Sequence, residues 1–167
     1  IGNWQWLPGL RYEHIELTRT DWQRTPTGRD QPPTLLAKRD VSAFIPGLGV
    51  TYGLGEGWLL LAGVHRGYSP PAPGTTVDAE ESVNFEAGLR FNQDALNVEL
   101  IGFLNDYDNL VGTCTASTGG DCTLGDQYSG GEVEVFGLEA EISYQIAELG
   151  SSGIAMPLRA NYTFTRG

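Results

Sequence analysis

The sequence predicts an all-β protein that folds as an antiparallel meander of about seven strands. Apolar and polar residues alternate with a period of two along most of the chain. Glycine accounts for 23 of 167 residues, beside four Trp, seven Tyr and six Phe, a composition typical of extended strands joined by turns. The connections between the alternating segments are long and short in turn, which is the order expected of successive hairpins.

The clearest strand patterns place apolar side chains on one face and polar side chains on the other. In residues 83–91 the apolar face holds the alternate residues from Val83 to Phe91. Residues 158–165 repeat this pattern from Leu158 to Phe164, and residues 48–54 and 58–68 follow the same rule. Each of these segments therefore predicts a strand that meets a different environment on each of its two faces.

Three further segments predict strands of less regular pattern. Residues 95–107 carry apolar side chains on both faces, and residues 7–17 lose phase between Tyr12 and Ile15. Residues 131–145 slip by one residue at Phe136–Gly137. A one-residue slip at a glycine predicts a β-bulge.

The lengths of the connections favour a membrane barrel over a soluble sandwich. Outer-membrane barrels have long loops at one end of the strands and short turns at the other. Tyr52, Trp58, Phe91 and Tyr144 lie beside short or modest turns, which predicts an interfacial girdle, although aromatic residues are also frequent in strands generally. Long connections at 18–38, 69–80 and 108–130 alternate with short ones at 53–57 and 92–94, and a modest one lies near 146–154.

Charge and hydropathy exclude several classes of protein. The formal net charge is -11 and the sequence pI is about 4.4, so the clustered Lys and Arg that nucleic acid requires are absent and no nucleic-acid partner is expected. The acidity is compatible with simple solubility or with a functional role. No stretch approaches eighteen consecutive apolar residues, so the sequence predicts no transmembrane helix.

Cys114 and Cys122 lie in a segment rich in Thr, Ser and Gly. We expect them to form a disulfide, which would staple a small loop in an oxidising compartment such as the periplasm or the cell surface. The alternative, a zinc site, needs ligands that the neighbouring sequence does not provide, because two cysteines without a nearby histidine make half a site.

The sequence contains no complete catalytic or metal-binding motif. His14 and His65 are the only histidines, so neither an HExxH motif nor a three-histidine metal site can form. Glu139 and Glu141 share one face of a predicted strand, where they would serve as an acid–base pair or as the polar lining of a water-filled lumen. The lining is the simpler interpretation. We therefore expect no enzyme, no metal site and no cofactor.

Four segments of the chain, Gly63–Gly74, Glu81–Arg90, Phe103–Leu110 and Gly137–Glu141, resemble the barrel of the TonB-dependent outer-membrane receptors. The segment 112–115 together with 125–128 is most similar to the ferric citrate receptor branch of that family. The resemblance runs from about residue 40 to the end of the chain.

This resemblance implies a barrel of about 22 strands in the bacterial outer membrane, closed by an N-terminal plug. It also implies import of a ferric chelate, either a siderophore or ferric citrate, with energy supplied through the TonB complex of the inner membrane. The expected partners are the ferric chelate, lipid or lipopolysaccharide, the plug and the TonB complex. Residues 1–167 would then be a partial β-barrel domain, with the plug, the remaining strands and the C-terminal strand outside this sequence.

A chelate such as ferric dicitrate is an anion, so guanidinium and amide groups in the long connections are the expected ligand contacts. His65 points away from the apolar face and is a further candidate, whereas Arg66 shares the parity of the apolar face and is expected to anchor at the headgroup level. The candidates in the connections are Arg19, Arg24, Arg29 and Gln127.

Two alternatives remain open from the sequence. One is a secreted β-sandwich that binds carbohydrate through exposed Trp and Tyr. The other is an adhesive or structural barrel that transports nothing. A sandwich would stay monomeric in plain buffer, whereas a segment of barrel would expose an apolar face and require detergent.

Overall fold

The computed structural model describes residues 3–23, 25, 27–118, 122–146 and 155–167. Within them, the chain forms nine strands and one short 3-10 turn at Gly28–Asp30. No helix in this part of the chain is long and apolar enough to cross a membrane. The strands are β1 (Trp4–Asp21), β2 (Leu35–Gly55), β3 (Trp58–Ser69), β4 (Glu80–Gln93), β5 (Leu96–Tyr107), β6 (Val111–Thr113), β7 (Gln127–Ser129), β8 (Val133–Ile146) and β9 (Met156–Arg166).

Seven of the strands form one sheet in the order β1-β2-β3-β4-β5-β8-β9, and every neighbouring pair is antiparallel. The predicted all-β antiparallel meander of about seven strands is thus confirmed. Strands β6 and β7 form a separate two-stranded ribbon inside the connection between β5 and β8, which the sequence patterns did not predict. Strands β1 and β9 lie at the two edges, so the described sheet is open.

The sheet has one apolar and one polar face, and the apolar face is the exposed one. Because directly paired residues project to the same side, a row of partners defines each face. One apolar row runs Trp58, Phe91, Val98, Ile142, Ala160 across five strands. Side chains on this face remain far from buried, with 62% of Trp6, 45% of Phe85 and 61% of Tyr162 accessible.

Aromatic side chains on the apolar face pack in pairs across strands. The Trp4 and Tyr52 rings lie 4.6 Å apart between centroids, and the Trp58 and Phe91 rings lie 4.7 Å apart. Both pairs stand near the short turns, as the girdle prediction requires. These contacts stabilise the register between strands without covering the face.

The hairpin of β1 and β2 reverses its polarity partway along its length. The register from Trp4–Tyr52 to Asp21–Leu35 is unbroken, so the loss of phase between Tyr12 and Ile15 is not a backbone irregularity. Up to the Tyr12–Phe44 pair, the shared face is apolar. Beyond it, that face carries His14, Glu16 and Ser42, while Ile15 and Leu17 occupy the opposite face. The predicted connection at 18–38 is accordingly shorter and spans residues 22–34.

The β-bulge predicted at Phe136–Gly137 is wrong. Strand β8 pairs with β5 in continuous register from Val133 to Tyr144. Val133 and Val135 lie on the polar face, so the apparent slip is a change of side-chain type. Gly137 leaves room for the Phe103 ring, whose nearest atom would lie 2.5 Å from a Cβ at that position.

The register shift within the sheet lies elsewhere, between Gly53 and Gly55 of β2. It leads directly into the turn to β3, where Gly55, Glu56 and Gly57 have φ values of 90°, 50° and 85°. Two of these three left-handed positions are glycine, which adopts them without a steric penalty.

Two glycines on the polar face provide a matched test of this packing. A Cβ at Gly88 would lie 2.2 Å from the Leu100 carbonyl oxygen, whereas a Cβ at Gly63 would meet nothing closer than the Leu48 carbonyl oxygen at 3.8 Å. We expect Gly88→Ala to lower the free energy of unfolding by about 1–3 kcal/mol. Gly63→Ala should change it much less. Guanidinium unfolding in detergent micelles measures both, and equal losses would contradict this account.

Candidate ligand-binding surface at the loop end of the sheet

All three long connections leave the same end of the sheet, because successive strands are antiparallel. They span residues 22–34, 70–79 and 108–132, and we call this the loop end. The tight turns at 56–57 and 94–95 lie at the opposite, turn end. Any surface built by the loops is therefore gathered on one side of the molecule.

The connection 70–79, here called the strap, lies against the polar face of the β1–β2 hairpin. The Arg39 guanidinium donates hydrogen bonds to the carbonyl oxygens of Thr75 and Val77 at 3.3 and 3.1 Å. Gly74 approaches so closely that a Cβ there would lie 3.2 Å from the Ala37 side chain. Pro71 is fully buried. The strap is thus held by packing as well as by polar contacts.

The ribbon of β6 and β7 is closed at its tip by the disulfide between Cys114 and Cys122, as predicted. Cys114 is buried, with 2% of its surface accessible. Backbone bonds from Cys114 to Asp126 and from Gly125 to Cys114 continue the ribbon ladder to the disulfide. The disulfide and these backbone bonds therefore close the tip of the ribbon.

Four side-chain contacts tie the ribbon connection to the strap and to the start of β4. The Gln127 amide oxygen accepts a hydrogen bond from the Ala72 backbone N–H at 2.8 Å. The Asn109 amide donates to the carbonyl oxygens of Asp78 and Ala79, both at 3.3 Å. The Val111 N–H donates to the Glu80 carboxylate at 3.1 Å. The strap, ribbon and hairpin thus form one connected assembly.

Arg19 and Arg29 line one open cleft of about 580 Å³ at the tip of the β1–β2 hairpin. The Arg19 guanidinium makes two contacts with the Asp21 carboxylate, at 3.0 and 2.8 Å. Arg19 lies beyond the apolar part of the hairpin. There the hydrogen bond and charge of Asp21, and at longer range the charge of Asp126, raise the pKa of the guanidinium. The other lining residues are Thr20, Asp21, Trp22, Gln23 and Thr25.

Backbone contacts fix the shape of this cleft. The Thr34 N–H donates to the Asp21 carbonyl oxygen at 2.8 Å, which closes the base of the connection. Gly28 is buried, and a Cβ there would lie 1.9 Å from the Gln23 carbonyl oxygen. Only glycine permits this close approach, which places Arg29 beside the cleft.

The structure brings together some of the predicted ligand residues and separates others. Arg19 and Arg29 share the cleft, whereas Gln127 is engaged by the strap. His65 lies on the polar face of β3 in the row of Gly9 and Gly47, ten residues along β1 from Arg19, which is roughly 33 Å. His65 is thus distant from the cleft. Arg24 lies outside the described residues.

Other charged residues occupy the faces that their parity indicated. Arg66 lies on the apolar face and pairs with the Glu81 carboxylate. Glu139 and Glu141 lie on the polar face, where Glu141 pairs with Arg159 at 3.4 Å. Among the described residues, no group of three or more His, Cys, Asp or Glu side chains could hold a metal ion.

Sequence reasoning missed several residues that shape the loop end. Trp22 lines the cleft, and Arg39 and Asn109 hold the strap. Trp22 directly follows a strand end, where an aromatic residue in a polar connection is a usable signal. Arg39 lies just after the predicted connection 18–38, where no alternation pattern was identified, so its position in β2 was not predicted.

The described sheet is open and uniformly antiparallel, and its apolar face is exposed. It has long loops at one end and tight turns at the other. These features together define a segment of a large membrane-type β-barrel. A family model described as "TonB dependent receptor-like, beta-barrel" matches residues 1–167. The chain therefore belongs to the TonB-dependent receptor family. Its members are outer-membrane β-barrels that act as transporters and receptors, not enzymes. The family match overturns the β-sandwich alternative.

Individual relatives agree with the family. The ferrienterobactin receptor of Escherichia coli is 23% identical over 171 aligned residues, covering 84% of this chain and 20% of the receptor. The FrpB iron transporter of Neisseria meningitidis has a TM-score of 0.66 at 16% identity, over 99% of this chain and 24% of that one. The unliganded ferric citrate transporter FecA has a TM-score of 0.65 at 22% identity, over the same shares. The chain spans about a fifth to a quarter of these proteins.

Removal of the disulfide tests whether the ribbon depends on it. We expect the double substitution Cys114→Ala, Cys122→Ala to lower the local opening free energy of the ribbon by roughly 2–3 kcal/mol, because the closed loop restricts the open state. Amide hydrogen exchange at Val111, Gly112 and Gln127 should accelerate by roughly 30- to 150-fold. Amides in the centre of β4 should keep their rates, and unchanged ribbon exchange would contradict the prediction.

Proposed function

We propose that this chain is part of an outer-membrane receptor that binds a ferric chelate at its loop end and imports it. The observation that carries the proposal is the inverted burial of the sheet. Its apolar face is exposed and its polar face is the more covered one, which suits lipid outside and an aqueous, plugged lumen inside.

The dimensions of the apolar band support a membrane location. On β5 it runs from Leu96 to Leu104, roughly 27 Å along the strand. With a tilt of about 40°, it would span roughly 21 Å, comparable with the apolar band of about 25 Å on outer-membrane barrels. Charged residues mark where the band ends towards the loops: Arg66, Glu81, Asp106, Glu134 and Arg166 on successive strands.

The polar face would then line the lumen and meet the plug of the full-length protein. Ion pairs join Arg90 to Glu99 and Arg159 to Glu141 on this face near the turn end. Residues 1–167 would form one part of the barrel domain, with the plug supplied by another part of the protein. Lipid and lipopolysaccharide would contact the apolar face and its charged upper boundary.

The loop end supplies the first contact with the chelate. Arg19 and Arg29 are the cationic groups of the described cleft, and Trp22 adds an aromatic surface beside them. The names of the relatives point to the same class of cargo, since they are receptors or transporters of ferrienterobactin, iron and ferric citrate. In the proposed mechanism, a chelate bound by the loops triggers rearrangement of the plug, driven by the inner-membrane TonB complex.

The proposal is tested by measuring the uptake of radiolabelled iron. The iron is offered with a panel of chelators to cells with and without the full-length protein. We expect uptake of at least one ferric chelate that requires both the protein and an energised inner membrane. If no ferric chelate is taken up, the proposal fails, and the remaining alternative is a barrel that serves another nutrient or adhesion.

Paired substitutions test the assignment of the two faces. Leu100 lies on the apolar face at the middle of the band on β5, and Ile101 lies next to it on the polar face. We expect Leu100→Arg to lower the free energy of unfolding in lipid bilayers by about 2–4 kcal/mol. Ile101→Arg should cost less, because its guanidinium reaches water in the lumen. A larger loss for Ile101→Arg would reverse the assignment. Denaturant titration of protein refolded into liposomes gives both values.

A further inference from the structure

Trp22 is the only tryptophan at the loop end of the sheet. The other three, Trp4, Trp6 and Trp58, lie on the apolar face at the turn end. Trp22 directly follows β1 and lines the cleft at the hairpin tip, where 39% of its surface is accessible. In the described part of the chain, no aromatic ring packs against its indole. The cleft therefore offers a free aromatic surface to a ligand.

The two guanidinium groups of the cleft differ in how readily they can bind an anion. Arg19 makes two contacts with the Asp21 carboxylate, and the charge of Asp126 also acts on it. Arg29, in contrast, forms no ion pair with any of the described residues. An incoming anion would have to compete with Asp21 for Arg19, whereas it can pair with Arg29 directly. The cleft thus supplies one available cation beside its aromatic surface.

The charges around the cleft largely cancel. Its lining contains two guanidinium groups and the Asp21 carboxylate, and Asp30 follows directly in the sequence. Asp126 adds a further negative charge from the ribbon. Lys38 projects from the opposite face of the hairpin to Arg19, because it pairs with Thr18. Long-range attraction of an anion is therefore weak here, so short-range contacts within the cleft decide which chelate is bound.

We propose that Trp22 determines the specificity of this cleft, which binds a ferric chelate whose iron-binding oxygens are carried on aromatic rings, as in catecholates. This inference rests on the proposed function and names its substrate class. A chelate of this kind presents the flat face of a ring to the indole and negatively charged oxygens at the ring edge to Arg29. Ferric dicitrate can pair with Arg29 but has no ring to stack. An aliphatic trihydroxamate complex is neutral and has no ring, so it makes neither contact.

The substrate class is tested by binding to outer membranes that contain the full-length protein. The probes are a ferric tris-catecholate, ferric dicitrate and an aliphatic ferric trihydroxamate, each labelled with radioactive iron. We expect the tris-catecholate to bind most tightly. Tighter binding of either of the other two would overturn this inference and leave the proposed function intact. Binding of none of the three would overturn both.

Substitutions of single tryptophans assign the selectivity to the indole at the loop end. Trp22→Leu keeps an apolar side chain but removes the ring, and we expect it to weaken binding of the tris-catecholate by about three- to tenfold. Trp22→Phe keeps an aromatic ring and should weaken it less. The matched control Trp6→Leu changes a tryptophan at the turn end and should leave the affinity unchanged.

Ferric dicitrate separates stacking from a general disturbance of the cleft. Its affinity should be the same for Trp22→Leu as for the unaltered protein, because it has no ring to lose a contact. The inference would be overturned by equal weakening of both chelates in Trp22→Leu. It would also be overturned if Trp22→Leu bound the tris-catecholate as tightly as Trp6→Leu does.

Discussion

The structure depends on the ladders of backbone hydrogen bonds between neighbouring antiparallel strands, which keep a constant register except for the shift between Gly53 and Gly55 of β2. Each strand of the sheet pairs only with its immediate neighbours, so the parity of a residue decides which side of the sheet it occupies. With no second layer packed on it in the described residues, the sheet has no hydrophobic core of the ordinary kind. Stability must come from the ladder, from contacts such as Trp58–Phe91, and from an apolar surrounding phase.

The loop end is stabilised by different interactions from those of the sheet. There the chain is held by a few polar contacts to backbone groups, together with one disulfide and close approaches at glycine. The Gln127 amide oxygen accepts a hydrogen bond from a backbone N–H group of the strap, and the Asn109 amide donates to a backbone carbonyl oxygen of the strap. These backbone groups would otherwise have no partner within the protein. These contacts hold the connections of the loop end in a fixed arrangement.

Strand parity explains which parts of the fold the sequence predicts. Alternation identified the central strands because lipid-type and water-type environments differ on the two sides of the sheet. The same rule failed for the β1–β2 hairpin, where Ile15 and Leu17 change sides although the backbone continues. It also mistook Val133 and Val135 for the apolar face and inferred a bulge. The hydrophobicity of a residue indicates the environment of its side chain. That environment can change along a strand although the register of the backbone hydrogen bonds stays the same.

The candidate site was less predictable, because it arises from contacts between connections that are distant in sequence. Arg19 and Arg29 were found by residue type, and the structure places them in one cleft. The roles of Arg39 and Gln127 as supports of the strap depend on tertiary neighbours more than thirty residues away. No periodicity encodes such pairs. The pairing of the two cysteines was accessible from spacing and composition alone.

The polarity reversal at Tyr12 and Phe44 constrains how the β1–β2 hairpin can vary during evolution. A single-residue insertion within either arm would rotate every more distal side chain to the opposite side and expose Leu17 where Glu16 now lies. Changes in length are therefore tolerated at the tip, around residues 22–34, or in pairs that preserve parity. In relatives, we expect the apolar residues of this hairpin to change from one face to the other at the same distance from the turn end. Their alignment should show no insertion or deletion at that point.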